Sequence, residues 1–337
     1  MRLVLPLLLC LLVAGCELNS IGLELAPGWQ AESLIVWRGA HPEDMALGRG
    51  GRWLYISCRT PAHHNAPSLA AYDLTKAHRL TLITGLQHAS GIALAPDGSL
   101  WLGEDHDRGL IWRIAEPDRL PADIFIDRER PEDAPAAISA LPPAGVFAHA
   151  AIAFSKDGRY AYLADAADEG ALFRLQLASR RLQVLHDTRG WLSVPISEQA
   201  RSSAKALDAR MFHRITDLER LPDGRLLLAE RDGGRVLALD DRHGMPRLTV
   251  FLHDARIVHP LHLAWDTARQ WLWLSDDHTP SGLWRWDGRQ LARVARHQHA
   301  TISGIWANGQ EVLIHLQNRV EGAELTLRLH PRAAPSA

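Results

Sequence analysis

The sequence predicts an all-β protein folded as a six-bladed β-propeller. One unit recurs six times along the 337 residues, and each copy joins two apolar runs through a tight turn. The runs alternate apolar and polar residues and are rich in Leu, Trp and Tyr, as antiparallel strands are. No long segment shows the 3.6-residue period of an amphipathic helix. The spacing of the copies suits four-stranded blades with some long loops, and six such blades close a ring.

The chain begins with a segment for export rather than for folding. "MRLVLPLLLCLLVAGC" places one Arg before an apolar run too short to span a membrane as a helix. Residues 1–15 are predicted to be a lipoprotein signal peptide with Cys16 as the lipidated mature N-terminus; the alternative is an ordinary secretory signal. By known sorting rules Glu17 favours the outer membrane. The expected location is the cell envelope, lipid-anchored at the periplasmic face of that membrane.

The remainder is predicted to form one domain. Residues 17–30 are interpreted as a tether, 31–330 as a single propeller and 331–337 as a disordered tail, with insertions at 115–147 and 176–212, the second carrying a helical turn. A net charge of -2 with 23% charged residues gives no electrostatic footprint for nucleic acid. The expected partners are a small-molecule ligand or an envelope protein. The membrane is contacted only through the lipid anchor, and a monomer is expected.

The repeated unit keeps polar residues at fixed places. The copies begin at His41, His88, His149, His213, His259 and His299. The second reads "HASGIALAPDGSLWLGEDHDRGLIWRI" and the third "HAAIAFSKDGRYAYLADAADEGALFRL". Their Asp-Gly pairs suit hairpin turns, because Gly tolerates positive φ and Asp bonds its own backbone. These turn aspartates are assigned a structural role.

Polar residues at both ends of the hairpin are expected to meet on one rim. In a blade, the residue before the first strand and the residue after the second strand lie at the same mouth of the central channel. In several copies acidic residues follow the second strand: Glu104, Asp105, Asp165, Glu230, Asp276 and Asp277. A second group of acidic residues lies within the first strand, further into the channel: Glu43, Asp44 and Asp217. Either the repeated histidines bond neighbouring blades, or imidazoles and carboxylates form a metal or anion site.

The order of motifs resembles the PhoX-type alkaline phosphatases, exported propeller phosphatases that hold iron and calcium. "GGRWLYIS" is similar to the family's Gly-Gly-Trp-x-Tyr-x-Ser run, and "WLSVP" to its Trp-x-x-Val-Pro. "ISGIWANGQEVLIHLQN" is similar to the closing Thr-Gly-x-x-Phe-x-x-Asp-Gly segment. The resemblance runs from about residue 40 to 329. It implies a propeller with a metal-dependent phosphatase centre.

The departures from that family fall on the chemistry. The family's Cys-Glu after its Trp-Leu is replaced by Glu104 and Asp105, while the acidic pair after the fifth strand survives as Asp276 and Asp277. Further ligand positions of the family carry other residues here: Ala150, Thr216, the pair Leu261 and His262, and Thr301. Each lost carboxylate leaves a multivalent ion less compensated. The scaffold therefore resembles the family more closely than its metal centre does.

Three functions follow as hypotheses. The first is a metal-dependent hydrolase of phosphomonoesters that uses calcium, iron or zinc. Its predicted metal ligands are Glu43, Glu104, Asp105, Asp165, Asp276 and Asp277, and its predicted acid and base groups are His149, His262 and Asp217. The second is a catalytically inactive propeller that binds a ligand or an envelope protein. The third is a calcium-dependent lactonase or esterase of the gluconolactonase and paraoxonase type, which Glu43, Asp44 and Asp217 resemble more loosely.

Overall fold

The computed structural model describes residues 22–60, 66–106, 109–141, 149–197, 199–242, 244–318 and 324–332. Its strands form six sheets, and the innermost strands of neighbouring sheets contact one another around a closed ring. The chain is therefore a six-bladed β-propeller, which confirms the predicted fold class. Among the described residues, no helix is long and apolar enough to cross a membrane. The predicted signal peptide and Cys16 lie outside the described residues.

The first half of the chain supplies two leading strands and three blades. The leading strands are β1 (Leu23–Leu25) and β2 (Trp29–Trp37). Blade 1 contains β3 (His41–Leu47), β4 (Trp53–Arg59), β5 (Leu69–Asp73) and β6 (His78–Thr84). Blade 2 contains β7 (Ala89–Leu94), β8 (Leu100–Glu104) and β9 (Ile111–Ile114), followed by β10 (Ile124–Phe125) and β11 (Ile138–Leu141). Blade 3 contains β12 (His149–Phe154), β13 (Tyr160–Asp165), β14 (Gly170–Gln176), β15 (Arg181–His186) and β16 (Gly190–Val194).

The second half completes the ring. After blade 3 come helix α1 (Ala200–Ala206) and β17 (Met211–Phe212). Blade 4 contains β18 (Ile215–Arg220), β19 (Leu226–Glu230), β20 (Arg235–Asp240) and β21 (Arg247–Leu252). Blade 5 contains β22 (Pro260–Asp266), β23 (Trp271–Asp276), β24 (Ser281–Trp286) and β25 (Leu291–His297). Blade 6 contains β26 (Ala300–Ala307), β27 (Val312–Asn318) and β28 (Glu324–Pro331).

The leading strands join the ends of the ring. Strand β2 pairs antiparallel with β28 as the outer strand of blade 6, and β1 pairs with β25 of blade 5. Part of the segment predicted as a tether, residues 17–30, therefore belongs to the propeller. At the other end, the predicted tail begins too early, because its first residue, Pro331, is still paired in β28.

The predicted insertions also contribute to the sheets. Residues 115–147 include β11, the outer strand of blade 2, and β10, which pairs parallel with β6 of blade 1. Residues 176–212 include β15 and β16 of blade 3 as well as the expected helical turn, α1. Strands β10, β11 and β16 are two to five residues long and partly exposed, so their composition is that of loops and the alternation of the inner strands is lost.

The hairpin turns follow the chemistry expected of Asp-Gly. Gly98, Gly158 and Gly224 have φ of 90°, 69° and 96°, where a side chain would be strained. The preceding aspartates accept hydrogen bonds from the backbone two residues on, as Asp97 Oδ1 does from Ser99 N at 2.9 Å. The core then forms between blades, where apolar side chains of adjacent sheets pack together.

Candidate active site

The channel at the centre of the ring is lined by the innermost strand of each blade, and each of these strands shifts its pairing register near its start. The shifts lie at Pro42/Met45, Ala89/Ile92, His149/Ala151, Ile215/Asp217, Pro260/Leu263 and Ser303/Ile305. A bulge re-aims side chains and is common beside active sites. Asp44, Thr216 and His262 lie within or next to these bulges and line the cavities of the channel.

The repeated histidines and the acid that ends the second strand hold backbone segments together. His213 N donates to Glu230 Oε1 at 3.0 Å, and His259 N donates to Asp276 Oδ1 at 3.0 Å. The His259 carbonyl in turn accepts from Asp277 N at 2.9 Å. These bonds use the histidine backbone and not its ring. They give the recurrence of the acid a structural cause but do not explain why the residue beside it is a histidine.

Three of the predicted metal ligands have this structural role. Asp276 also accepts from Val258 N and His278 N. Glu104 is fully buried and accepts from Gln87 N at 3.0 Å and Leu110 N at 2.9 Å. Asp165 is fully buried and receives two bonds from the guanidinium of Arg201 on α1, at 2.6 and 2.7 Å. None of these three residues lines the rim cavity described next.

The rim cavity, about 430 Å³, lies where the inner strands begin. Residues from five blades supply its polar side chains: Glu43, Arg59, Ser90, Asp105, Arg214, Thr216, Arg231, His262, Asp277, Thr301 and Gln317. Asp105, Arg231 and Asp277 each directly follow a residue that ends a second strand. Because successive residues point to opposite sides, the first of each pair faces the blade and the second faces the channel.

Acidic groups on the rim cavity are paired with arginines. Arg59 Nη2 lies 2.5 Å from Asp105 Oδ2, and Arg59 Nε lies 3.8 Å from Glu43 Oε1. Arg231 Nη2 lies 2.9 Å from Asp277 Oδ2. Burial raises the pKa of Glu43 to about 7, although the charge of Arg59 acts in the opposite direction. The rim therefore presents guanidinium groups beside carboxyl groups.

His262 and Asp217 meet at the floor of the rim cavity. His262 is 7% exposed, and its Nδ1 lies 3.8 Å from Asp217 Oδ2. Neither ring nitrogen of His262 forms a hydrogen bond with the described residues. Asp217 is held by Leu218 N at 2.7 Å and Leu263 N at 2.6 Å. Burial lowers the pKa of His262 to about 4 and raises that of Asp217 to about 7.

Beyond this pair lies a second space, the channel cavity, of about 520 Å³. It runs along the later residues of the inner strands and is lined by Asp44, Asp217 and Glu219 among apolar side chains. Burial raises the pKa of Glu219 to about 8, and the charge of Asp217 adds to the effect. Burial and Asp217 also raise the pKa of Asp44 well above its usual value. The His262–Asp217 contact thus separates two water-accessible spaces.

The described side chains do not provide a ligand set for a divalent metal. Within the described ranges, no group of three or more His, Cys, Asp and Glu side chains converges closely enough to hold an ion. Glu43, Asp105 and Asp277 do face the rim cavity, but each has an arginine beside it. Such oxygens already have a cationic partner. Calcium, iron or zinc therefore stays a prediction from sequence.

The structure brings together only some of the residues predicted from sequence. His262 and Asp217 meet, and Glu43, Asp105 and Asp277 share the rim cavity with His262. The backbone of His149 opens β12 opposite Asp165, and its side chain lies outside the described part of the chain. Three cavity arginines were missed by sequence reasoning: Arg59, Arg214 and Arg231. Arg214 and Arg231 directly follow the recurring His213 and Glu230, and Arg59 follows Cys58, which takes the place of that acid in the first copy.

Comparison with known proteins gives a likeness in structure but not in sequence. No family model matches the chain, and no curated protein matches it. A gluconolactonase from Xanthomonas campestris superposes with a TM-score of 0.59 at 16% identity, covering 94% of this chain and 92% of that protein. A catalytically inactive variant of virginiamycin B lyase from Staphylococcus aureus gives 0.52 at 12%, covering 90% and 100%. The shared feature is the propeller fold.

A third solved structure supports the same conclusion. A luciferin-regenerating enzyme superposes with a TM-score of 0.57 at 12% identity, covering 88% of this chain and 95% of that protein. At identities this low, the superposition establishes the fold but not the chemistry, which must be argued from the residues of the site. The resemblance to PhoX-type phosphatases stays a prediction from sequence.

Proposed function

We propose that this chain is a hydrolase that opens lactones or cleaves related carboxylic esters in the rim cavity, with His262 as general base and Asp217 as its partner. The observation that carries the proposal is the His262 ring. It is buried, lines the cavity, has Nδ1 3.8 Å from a carboxylate oxygen, and forms no hydrogen bond with the described residues. A buried titratable pair beside a polar cavity is the usual signature of an acid–base site.

The protonation states of the pair leave the His262 imidazole unprotonated near neutral pH. Burial holds the pKa of His262 at about 4, so the imidazole is neutral and able to accept a proton from water. Once protonated, the ring is stabilised by the Asp217 carboxylate 3.8 Å away. Asp217 is ionised only above its own pKa of about 7. We therefore expect kcat/KM to rise as the pH increases through about 7.

The arginines of the rim provide the complementary charge. Attack of water on the ester carbonyl places negative charge on its oxygen, and guanidinium donors near that oxygen stabilise the transition state. Arg59 and Arg231 line the same cavity as His262. The ester C–O bond then breaks, the leaving oxygen takes one proton of the water, and the carboxylic acid formed releases the other.

Phosphomonoester hydrolysis is the second candidate, favoured by the three arginines of the cavity. A planar guanidinium binds phosphate oxygens in pairs, so Arg59, Arg214 and Arg231 are suited to a phosphoryl group as well as to a carboxylate. The His262–Asp217 pair serves either reaction and does not distinguish carboxylic esters from phosphomonoesters. The substrate panel below includes both classes.

The test uses the purified full-length protein with δ-valerolactone, p-nitrophenyl acetate and p-nitrophenyl phosphate. His262→Gln is expected to lower kcat/KM on the lactone or the acetate by about 10²- to 10⁴-fold, the usual contribution of a general base. His253→Gln is the matched control. His253 is an exposed histidine of the same propeller, and its substitution is expected to leave full activity. Full activity in His262→Gln with an unchanged melting temperature would remove His262 from the mechanism.

A metal test accompanies the panel. Because arginines accompany the rim carboxylates, dialysis against EDTA is expected to leave the lactone rate within about twofold of the untreated protein. Metal analysis of the same sample accompanies the assay. Loss of activity on EDTA treatment, restored by calcium, iron or zinc, would favour the metal-dependent alternative. Binding of the lactone without turnover would favour an inactive ligand-binding propeller.

The envelope location is proposed on the sequence alone. Leu23 begins the first strand, so six residues separate Cys16 from the ring. A lipid on Cys16 would hold the propeller close to a membrane surface. Expression with a labelled fatty acid is expected to label the full-length chain and not Cys16→Ser. Equal labelling of both would overturn the lipoprotein assignment.

A further inference from the structure

We propose that the proton released by hydrolysis leaves the site through the channel cavity, passing from His262 to Asp217 and Glu219 and away from the substrate. This inference rests on the proposed function and adds Glu219 as a residue that moves a proton. In this proposal the rim cavity and the channel cavity have different roles. The rim cavity receives the substrate, and the channel cavity serves as the exit for the proton.

The first support is the position of the pair between the two cavities. His262 lines the rim cavity, and Asp217 lines the channel cavity. Their closest atoms, Nδ1 and Oδ2, are 3.8 Å apart, so a small rearrangement closes the contact. The imidazole has one nitrogen facing Asp217. This arrangement allows a proton taken up in one cavity to be delivered toward the other.

The second support is the alignment of carboxyl groups along β18. Asp217 and Glu219 are two residues apart on one strand, so their side chains point to the same side. Both line the channel cavity, and Glu219 lies nearer the end of β18. The strand thus carries two titratable groups in sequence from the His262 contact toward the far opening.

The third support is the charge of the surroundings. The charged groups that share the channel cavity with Glu219 are Asp44, Asp217, Lys156 and Arg220. Within the described residues, no Lys or Arg nitrogen lies within 4.0 Å of the carboxyl oxygens of Asp44, Asp217 or Glu219. Lys156 Nζ instead donates to the carbonyl of Pro222 at 2.9 Å. Carboxyl groups without a cationic partner are able to exchange protons near neutral pH.

The proton balance of hydrolysis requires such an exit. Ester and water give alcohol, carboxylate and one H⁺, because the carboxylic acid product ionises at neutral pH. A substrate that fills the rim cavity hinders exchange between His262 and bulk water on that side. The carboxylic acid product gives its proton to His262, from which the proton passes to the Asp217 carboxylate and then to Glu219, and is released to water in the channel cavity. No oxidant or further reactant is needed.

The kinetic test compares Glu219→Gln with the unaltered full-length protein on δ-valerolactone. In dilute buffer we expect kcat to fall about tenfold with KM unchanged, because a proton-transfer step outside the substrate site becomes limiting. A small buffer such as imidazole, added at high concentration, is expected to restore kcat. Thr267→Val, which alters the same cavity without a titratable group, is the control and leaves kcat unchanged.

The outcomes separate this inference from the proposed function. If His262→Gln abolishes hydrolysis and Glu219→Gln has full kcat in dilute buffer, the exit route is wrong and the function stands. If His262→Gln has full activity, the proposed function is wrong. A reduced kcat in Glu219→Gln that imidazole does not restore would indicate a structural effect and would also reject the route.

A second measurement needs no substrate. The ring nitrogens of His262 are followed by NMR against pH in the full-length protein and in Asp217→Asn and Glu219→Gln. The pKa of Asp217 is about 7 and that of Glu219 about 8, so the charge that each acquires is expected to shift the resonances of the neutral His262 ring in that pH range. Asp217→Asn is expected to remove the Asp217 step of the His262 curve, and Glu219→Gln to change its midpoint. A His262 curve that is identical in all three proteins would overturn the inference.

Discussion

Two consecutive residues after a second strand serve different purposes in this ring. Asp276 accepts N–H groups of Val258, His259 and His278, whereas Asp277 faces the rim cavity and pairs with Arg231. The cause is the alternation of side-chain direction along an extended chain. Asp276 thus stabilises the fold, and its neighbour Asp277 contributes to the candidate site. Substitution of each separates the two contributions.

Asp276→Asn is expected to lower the free energy of unfolding by about 1–3 kcal/mol, because an amide group replaces an acceptor of three backbone N–H bonds. Asp254→Asn is the control. Asp254 also bonds an arginine, Arg256, but the pair lies on the surface and its loss costs about 1 kcal/mol or less. Urea denaturation of the purified proteins measures both. Equal losses would show that Asp276 holds no structure beyond a surface pair.

Glu219 gives a stability effect that depends on pH. Its pKa is raised by burial to about 8, so the unfolded chain ionises it near pH 4 while the folded protein keeps the proton. The stability linked to Glu219 is therefore present below pH 4 and is lost as the pH rises through about 8. Glu219→Gln is expected to gain stability relative to the unaltered protein between pH 4 and pH 8.

The measurement is the urea midpoint of both proteins across that pH range, and a difference between the two midpoints that does not change with pH would contradict the assignment.

His315 provides a comparison of opposite sign. Its ring is fully buried, and burial lowers its pKa to about 3. The unfolded chain protonates it below about pH 6.5, so the stability linked to His315 is lost as the pH falls from that value.

At the scale of elements, the inner strands were predictable and the outer strands were not. The starts of β3, β12 and β22 fall at or next to His41, His149 and His259, because each inner strand opens a copy of the repeat and is followed by a tight turn. Strands such as β11 and β16 face solvent on one side, so their residues are free to vary and resemble loops. The pairing of β10 with β6 joins distant segments and leaves no local pattern.

Only part of the candidate site was predictable from the sequence. His262 and Asp217 lie on inner strands, where the repeat fixes their place, and the structure brings them together. Arg59 ends β4, while Arg214 and Arg231 lie just outside β18 and β19, at positions where other copies of the repeat carry different residues. Which acids bind loops and which face the channel depends on the direction of single side chains, which the spacing of the repeat does not determine.

Helix α1 is held by a charged pair as well as by the buried residues Ala200 and Ala204. Arg201 on the helix donates two bonds to the fully buried Asp165 at the end of β13. Arg201→Ala would leave a buried carboxylate without its partner, and we expect a loss of about 3 kcal/mol in the free energy of unfolding. Hydrogen exchange should increase first in residues 199–212. Lys205→Ala, on the same helix but in an exposed pair with Glu169, is the control and should leave exchange unchanged.

At the scale of the whole molecule, stability depends on how the ring is closed. Strand β2 comes from the N-terminal end and pairs with β28, so blade 6 combines both ends of the chain. Trp37, the last residue of β2, is 0% exposed, and its Nε1 donates to Thr326 Oγ1 at 2.8 Å. Its ring packs with apolar side chains of blade 1. One residue therefore joins the closing strand to the first blade.

Trp37→Ala is expected to lower the free energy of unfolding by about 3–5 kcal/mol, because it opens a large cavity at the closure of the ring. Val36→Ala is the matched control: Val36 is the preceding residue of the same strand, points the other way and is 55% exposed, so its loss should cost about 0.5 kcal/mol or less. Thermal unfolding of the full-length proteins measures both. If closure by β2 holds the ring together, hydrogen exchange in Trp37→Ala should increase together in β2, β28 and β3, and not in the distant blade 3. A uniform increase over all six blades, or similar melting temperatures for the two variants, would show that the ring does not depend on this closure.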